Sequence, residues 1–253
     1  MMPHNIHVDF LTAKASSTGH ERLGFRIVTR IAVSLLLTLP AWSAEVAITP
    51  ITHASVQLEY AGKVIQVDPW SQGNYSHAKP ADLILITGAE NDHLDPSAIA
   101  KIRKPGAPVV IPQAGKDKVP DGTVLPNGQT LEIAGVRIEA VAAYDLIPGD
   151  PFHPQGRGNG YVITFGNQRI YFSGVTECVP EVQALRGIDV AFVSMNLPHG
   201  RMTPAAAASC VAGFNPKIVY PYHYRTGNVA EFRKLLEGTQ VEVRLGDWYP
   251  RPQ

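Results

Sequence analysis

Residues 81–96, ADLILITGAENDHLDP, place a short apolar run directly before a cluster of polar side chains. Glu90, Asp92 and His93 fall within four positions. Carboxylate oxygen and imidazole nitrogen are both ligands for zinc, and a tight loop can aim all three at one point. The Asp92-His93 pair is equally suited to capping the helix that follows and tying down its loop. Further candidates stand far off in sequence. His153 lies in a Gly/Pro-rich loop over 147–160, and reads either as a ligand or as a loop histidine bonded to backbone. His199 sits in Pro198-His199-Gly200, as a pocket or a surface residue, and His223 is followed by Tyr224 and Arg225. Arg225 could hold an anionic group or pair with a carboxylate. His53 reads as pinning a strand start and His77 as solvated, while Asp68 reads as a carboxylate that fixes a loop or orients a ligand.

The elements that must position these residues are mostly short strands. Residues 46–48, 55–60 and 64–67 are expected as strands, and 83–86 as a strand covered on both faces. A short helix is expected over 96–102 and a strand over 109–111. Residues 123–141 alternate around Asn127-Gly128 and Ala134-Gly135 and predict a meander. Gly166-Asn167 between 160–165 and 168–172 is the clearest hairpin signal. The second half alternates: helix over 180–185, strand over 190–194, and helix over 204–213 with Thr203 as cap and Pro204 in the first turn. Strand 218–220, helix 229–237 and strand 241–245 complete it. Two mixed sheets face to face with helices outside satisfy this order. The ring of Trp248 and its neighbours Tyr249 and Pro250 read as packing.

Composition narrows the function. The chain has 253 residues, of which 45% are hydrophobic and 17% charged, so a core is expected. Lys+Arg and Asp+Glu are both 22, which leaves no basic excess for a nucleic-acid backbone. Arg22, Arg26 and Arg30 precede an apolar run over 31–42, and small residues Ala41, Ser43 and Ala44 follow. That order predicts a signal segment and N-terminal extension over 1–44, and a periplasmic or secreted domain over 45–253. The apolar run is too short for a spanning helix of about 20 residues, so no stable membrane anchor is expected. Removing the segment leaves six of nine histidines and a net charge of −2. An oxidising compartment would permit a Cys178–Cys210 bond, and two unpaired buried thiols are the alternative. Gly-x-Ser-x-Gly and Walker patterns are missing, so serine hydrolase and nucleotide-binding readings lack support.

Taken together, the landmarks resemble the metallo-β-lactamase fold superfamily, in its broad branch of bacterial metal-dependent hydrolases. They are His53-Ala54-Ser55, Asp68-Pro69-Trp70, residues 81–96, Phe152-His153-Pro154, Ser173-Gly174-Val175-Thr176-Glu177, Asn196-Leu197-Pro198 and Tyr222-His223-Tyr224-Arg225. The resemblance implies an α/β, αββα four-layer sandwich of two mixed β-sheets over roughly 46–249, with the site at the mouth between the sheets. It also implies a His-x-His-x-Asp-His motif. There the leading histidines hold one zinc, the Asp-His pair and a late histidine hold a second, and a carboxylate in a Gly-Asp-Thr segment bridges them.

This sequence departs from that pattern. Gly88 stands at the first histidine, Glu90 at the second and Val175 at the bridge, while Asp92, His93 and His223 match. Two dications about 3.5–4 Å apart need bridging anions, which Val175 cannot supply and Glu177 could replace only in part. The expectation is one divalent metal, Zn(2+), on Asp92, His93 and His223, with Glu90 or His153 as a further ligand. Asp92 and Glu90 are the candidate catalytic carboxylates. His199, Tyr224 and Arg225 are the candidate substrate-binding residues, and Trp70, Tyr144 and Tyr222 are expected near the mouth. The function expected is hydrolysis of a small-molecule ester, amide, lactone or phosphoester. The alternative is an inactive relative serving as a binding module.

Overall fold

A computed structural model describes residues 45–195 and 197–249. The 1–44 segment, Asn196 and Pro250 lie outside the described residues.

The first sheet runs in the order β1 (Ala47–Thr52), β2 (Ser55–Tyr60), β3 (Lys63–Val67), β4 (Leu83–Leu85), β5 (Val109–Ile111), β6 (Thr123–Val124). Its first two pairings are antiparallel and its last three parallel. The second sheet holds β7 (Thr130–Ile133), β8 (Val136–Ala143), β9 (Gly158–Phe165), β10 (Gln168–Phe172), β11 (Val190–Ser194), β12 (Ile218–Tyr222) and β13 (Glu242–Val243), neighbours in that order. It turns from antiparallel to parallel after β10. The parallel crossovers carry α1 (Pro96–Ile102) on the first sheet and α2 (Pro180–Gln183), α3 (Pro204–Phe214) and α4 (Val229–Leu235) on the second, since parallel neighbours need a long return path.

Side-chain alternation along the strands separates three cores. Leu58, Ile65, Val67, Leu83 and Leu85 face Ile138, Tyr161, Ile163, Phe172, Phe192 and Tyr222 between the sheets. From the other face of β4, Ile84 packs with Leu94, Ile99 and Ile102 around α1. Tyr171, Val193 and Val219 pack outward on Val211, Phe214 and Phe232 of the helices. Four layers, αββα, follow, and β4 and β5 are apolar throughout because both their faces are buried. The Phe172 and Phe192 rings stack at 4.3 Å, and Trp248 closes this core edge-on to Phe192.

One expectation fails. Residues 123–141 do not form one meander. β6 pairs with β5 in the first sheet, and β7–β8 form a hairpin in the second. The chain crosses between the sheets after Leu125, whose N–H donates to Ile111, and Gly128 docks on the Ala140 carbonyl. Period-two alternation reports a pleat but not which sheet owns it. Thr203 caps α3 by accepting from the Ala206 N–H. Cys178 and Cys210 are joined, tying the approach to α2 onto α3. No helix among the described residues is long and apolar enough to cross a membrane.

Candidate metal centre

Asp95, not Asp92 or His93, caps α1, accepting from the Ser97 and Ala98 N–H groups. That frees the Asp92-His93 pair for other work. The loop after β4 bends back on the Glu90 carbonyl, which accepts from both His93 and Leu94. Asp68, at the end of β3, fixes this loop from beneath. It accepts from the Thr87 N–H at 2.7 Å and from the Thr87 hydroxyl, and its Oδ2 lies 2.7 Å from His93 Nδ1. Asp68 and His93 are both buried. A carboxylate on Nδ1 leaves His93 Nε2 to face the site.

His223 ends β12, and its N–H donates to the His53 carbonyl. His93 Nε2 and His223 Nε2 are 3.2 Å apart. His53 turns between β1 and β2, and its Nε2 lies 3.0 Å from Asp92 Oδ2. His53, His223 and Arg225 all adopt left-handed backbone, with φ of 51°, 48° and 43°. For non-glycine residues this costs of order 1–3 kcal/mol each, and it turns side chains from two strand ends, the β1–β2 turn and the exit of β12, toward one point. Tyr249 holds two of them: its hydroxyl is 2.6 Å from His53 Nδ1 and accepts from the Arg225 N–H.

His53, Asp92 and His223 each offer a donor atom within 4.8 Å of the others. Of the expected trio, Asp92 and His223 fall in this group, and His53, expected only to anchor a strand, joins them there. His93 adjoins the group through His223. Nitrogens each about 2.05 Å from one tetrahedral ion lie about 3.3 Å apart, close to the His93–His223 separation. Burial holds His223 well below the ordinary imidazole pKa, helped by the neighbouring His93, and burial lowers His53 despite Asp92. Both are therefore neutral and ready to ligate. Burial also works against a charged His93, but Asp68 outweighs it and raises that pKa. Asp92 is held well below the carboxylate range because the His53 hydrogen bond and the charge of His93 overcome its burial. His223 Nδ1 is buried with no hydrogen-bond partner among the described residues. Imidazole and carboxylate donors at this spacing fit a divalent cation.

The other half of the mouth is different. A Cβ at Gly88 would lie 2.5 Å from Glu90 Oε2, so the Glu90 carboxylate fills the room a side chain at 88 would need. Glu90 Oε1 accepts from Arg157 at 3.2 Å, and Glu90 is not in the compact donor group. His153 is likewise not in that group, and its Nδ1 lies 2.9 Å from Asp145 Oδ2. Both nonetheless border a cavity of about 130 Å³ shared with Asp92, His93, Val175, His199 and His223. His199 stacks on Phe152 at 4.5 Å across it. Glu177 is no bridge: it accepts from the Arg201 N–H and guanidinium. Tyr224 packs on Tyr249, and Tyr144 is bonded to Glu181; neither borders the mouth cavities. The Tyr222 hydroxyl is buried and accepts from the Gly174 N–H, so it supports the Val175 segment from inside. Arg225 Nη2 donates to Asp92 Oδ2 at 2.7 Å. His77 is exposed, as expected.

Sequence reasoning missed His53 and Tyr249. His53-Ala54-Ser55 was a landmark of the fold, but nothing adjacent in sequence marks His53 as a donor; its neighbours come from other strand ends.

Residues 47–223 match the family model described as a beta-lactamase superfamily domain. A UPF0173 metal-dependent hydrolase of Aeropyrum pernix is 30% identical over 78% of this chain and 93% of its own length. One from Thermococcus kodakarensis is 33% identical over 76% and 92%. A crystal structure from Parabacteroides distasonis, assigned as a metal-dependent hydrolase, superposes with a TM-score of 0.78 at 41% identity, covering 81% of this chain and 94% of that one. By sequence and by fold, this chain belongs to the metal-dependent hydrolases of the metallo-β-lactamase superfamily.

Proposed function

We propose that the protein is an exported hydrolase that works with one divalent ion, zinc, bound by His53, Asp92 and His223 with His93 alongside. The carrying observation is that compact donor group, in which His53, Asp92 and His223 each offer a donor atom within 4.8 Å of the others. When bound, the ion supplies a Lewis acid that lowers the pKa of water to about 7. Asp68 holds the His93 ring in register, and Tyr249 does the same for His53. Glu90 borders the cavity as a carboxylate able to take a proton from the attacking water. His153, oriented by Asp145, is placed to return one to the leaving group. The substrate is a small ester, amide, lactone or phosphoester. It lies in an open groove of about 700 Å³ walled by Trp70, Pro198 and Tyr249 beside Asp92 and Arg225. His199 lines the inner cavity. The disulfide supports the exported reading, because such bonds persist in oxidising compartments.

A binding module without turnover is the second reading, and Gly88 and Val175 favour it. Metal analysis of the chain purified without added metal separates the two. The hydrolase reading expects about one zinc per chain, lost on chelation and regained on zinc addition. Content below about a tenth of an equivalent, with no uptake at micromolar zinc, overturns it.

A further inference from the structure

Arg225 stands where a cation belongs. Its Nη2 is 2.7 Å from Asp92 Oδ2 and 3.4 Å from His53 Nε2. Both of those residues belong to the compact donor group. The Tyr249 hydroxyl accepts from the Arg225 N–H and can donate to His53 Nδ1, which leaves His53 Nε2–H to donate to the same Asp92 oxygen that Arg225 holds. One carboxylate oxygen cannot hold a guanidinium and a divalent ion side by side without close like-charge repulsion. The Arg225 side chain is 44% exposed, and the open groove runs past it between Trp70 and Tyr249. It therefore has somewhere to go, and its backbone stays pinned by Tyr249 while it moves.

We propose that Arg225 is a displaceable counter-cation: it pairs with Asp92 beside His53 when no divalent ion is bound, and gives way to the ion by turning into the groove, where it binds an anionic group of the substrate. The substrate class that follows is a flat apolar body bearing one carboxylate or similar anion. Trp70, Pro198 and Tyr249 offer the apolar walls, and Arg225 offers a fork that matches a carboxylate. This rests on the single-ion reading above.

Two measurements test it, neither of them turnover. The first is zinc affinity by chelator competition. Arg225→Met should bind zinc at least about tenfold more tightly than the wild type. Lys217→Met removes a cation that pairs with Asp189, remote from the donor group, and should change affinity little. The second is phenylglyoxal labelling of Arg225 in the wild-type protein, read by peptide mass spectrometry. Labelling should be slow without zinc, faster with zinc, slow again with zinc and phenylacetate, and fast with zinc and phenylacetamide. Equal zinc affinity in the wild type and Arg225→Met, or labelling that zinc does not raise, overturns the displacement. Zinc-dependent labelling that phenylacetate fails to suppress overturns the anion site. Absence of zinc binding in both proteins overturns the single-ion reading itself, which distinguishes that failure from the failure of this inference alone.

Discussion

The two halves of the mouth are supplied by one loop and have opposite fates. From Asp92 and His93 outward, the loop meets His53 and His223, and donors accumulate within a few ångströms. From Gly88 and Glu90 inward, the same loop meets Val175 and Arg157, and the space of the missing side chain is filled by a paired carboxylate. The comparison teaches that a ligand set is lost by refilling, not by leaving a void. Once Glu90 occupies the room beside Gly88, a histidine at position 88 would have to push that carboxylate off Arg157. Restoring the pattern at one position alone should therefore harm the protein.

The comparison can be broken most directly on the side rich in donors. His223→Ala should lower zinc affinity by more than about a hundredfold, because it removes a ligand and opens the buried end of the group; equilibrium dialysis checks this. Asp68→Asn keeps the shape but weakens the hold on His93, and should lower zinc affinity about 10–100-fold. If affinity is unchanged, His93 is a bystander and the trio with His53 stands alone. On the refilled side, Gly88→Ala should destabilise the fold by less than about 1 kcal/mol, because the atom a Cβ would meet is the movable tip of Glu90. Gly88→Ala with Glu90→Ala should recover most of that loss in thermal melts. A full loss in both would show that backbone, and not the Glu90 carboxylate, excludes a side chain at 88.

The smallest effect is that of pH on the metal-free protein. His53 and His223 have lowered folded pKa values, so below about 6.5 the unfolded chain binds more protons than the folded one. Stability should fall as pH drops from about 6.5 toward 5. His93, with a raised folded pKa, acts oppositely: its contribution is full below about 6.5 and fades as pH rises through its folded value. Melting curves across this range should show a net loss toward acid, and a flat curve would show that His53 and His223 take up protons in the folded state as readily as in the unfolded one.

The strands were legible because parallel strands buried on both faces leave apolar runs, as in β4, β5 and β11. Asp92 and His223 were legible through a local motif and its family resemblance. His53 and Tyr249 were not, because each acts through neighbours 39 to 196 positions away. Their left-handed turns and strand ends are products of the finished sandwich. The crossing of the chain between sheets near Asn127-Gly128 was hidden for the same reason: local alternation is identical whichever sheet receives the strand.

The cross-link between Cys178 and Cys210 spans 32 positions and fastens α3 to the segment that leads out of Val175. Closing a loop of that size restrains the unfolded chain by about 3–4 kcal/mol in the entropic account. A recombinant batch produced in a reducing cytoplasm would lack that restraint, and the mouth wall beyond Val175 would rest on the hydrogen bonds of Thr176 and Glu177 to Tyr144 and Arg201. The redox history of a sample is thus an experimental variable for metal binding in its own right.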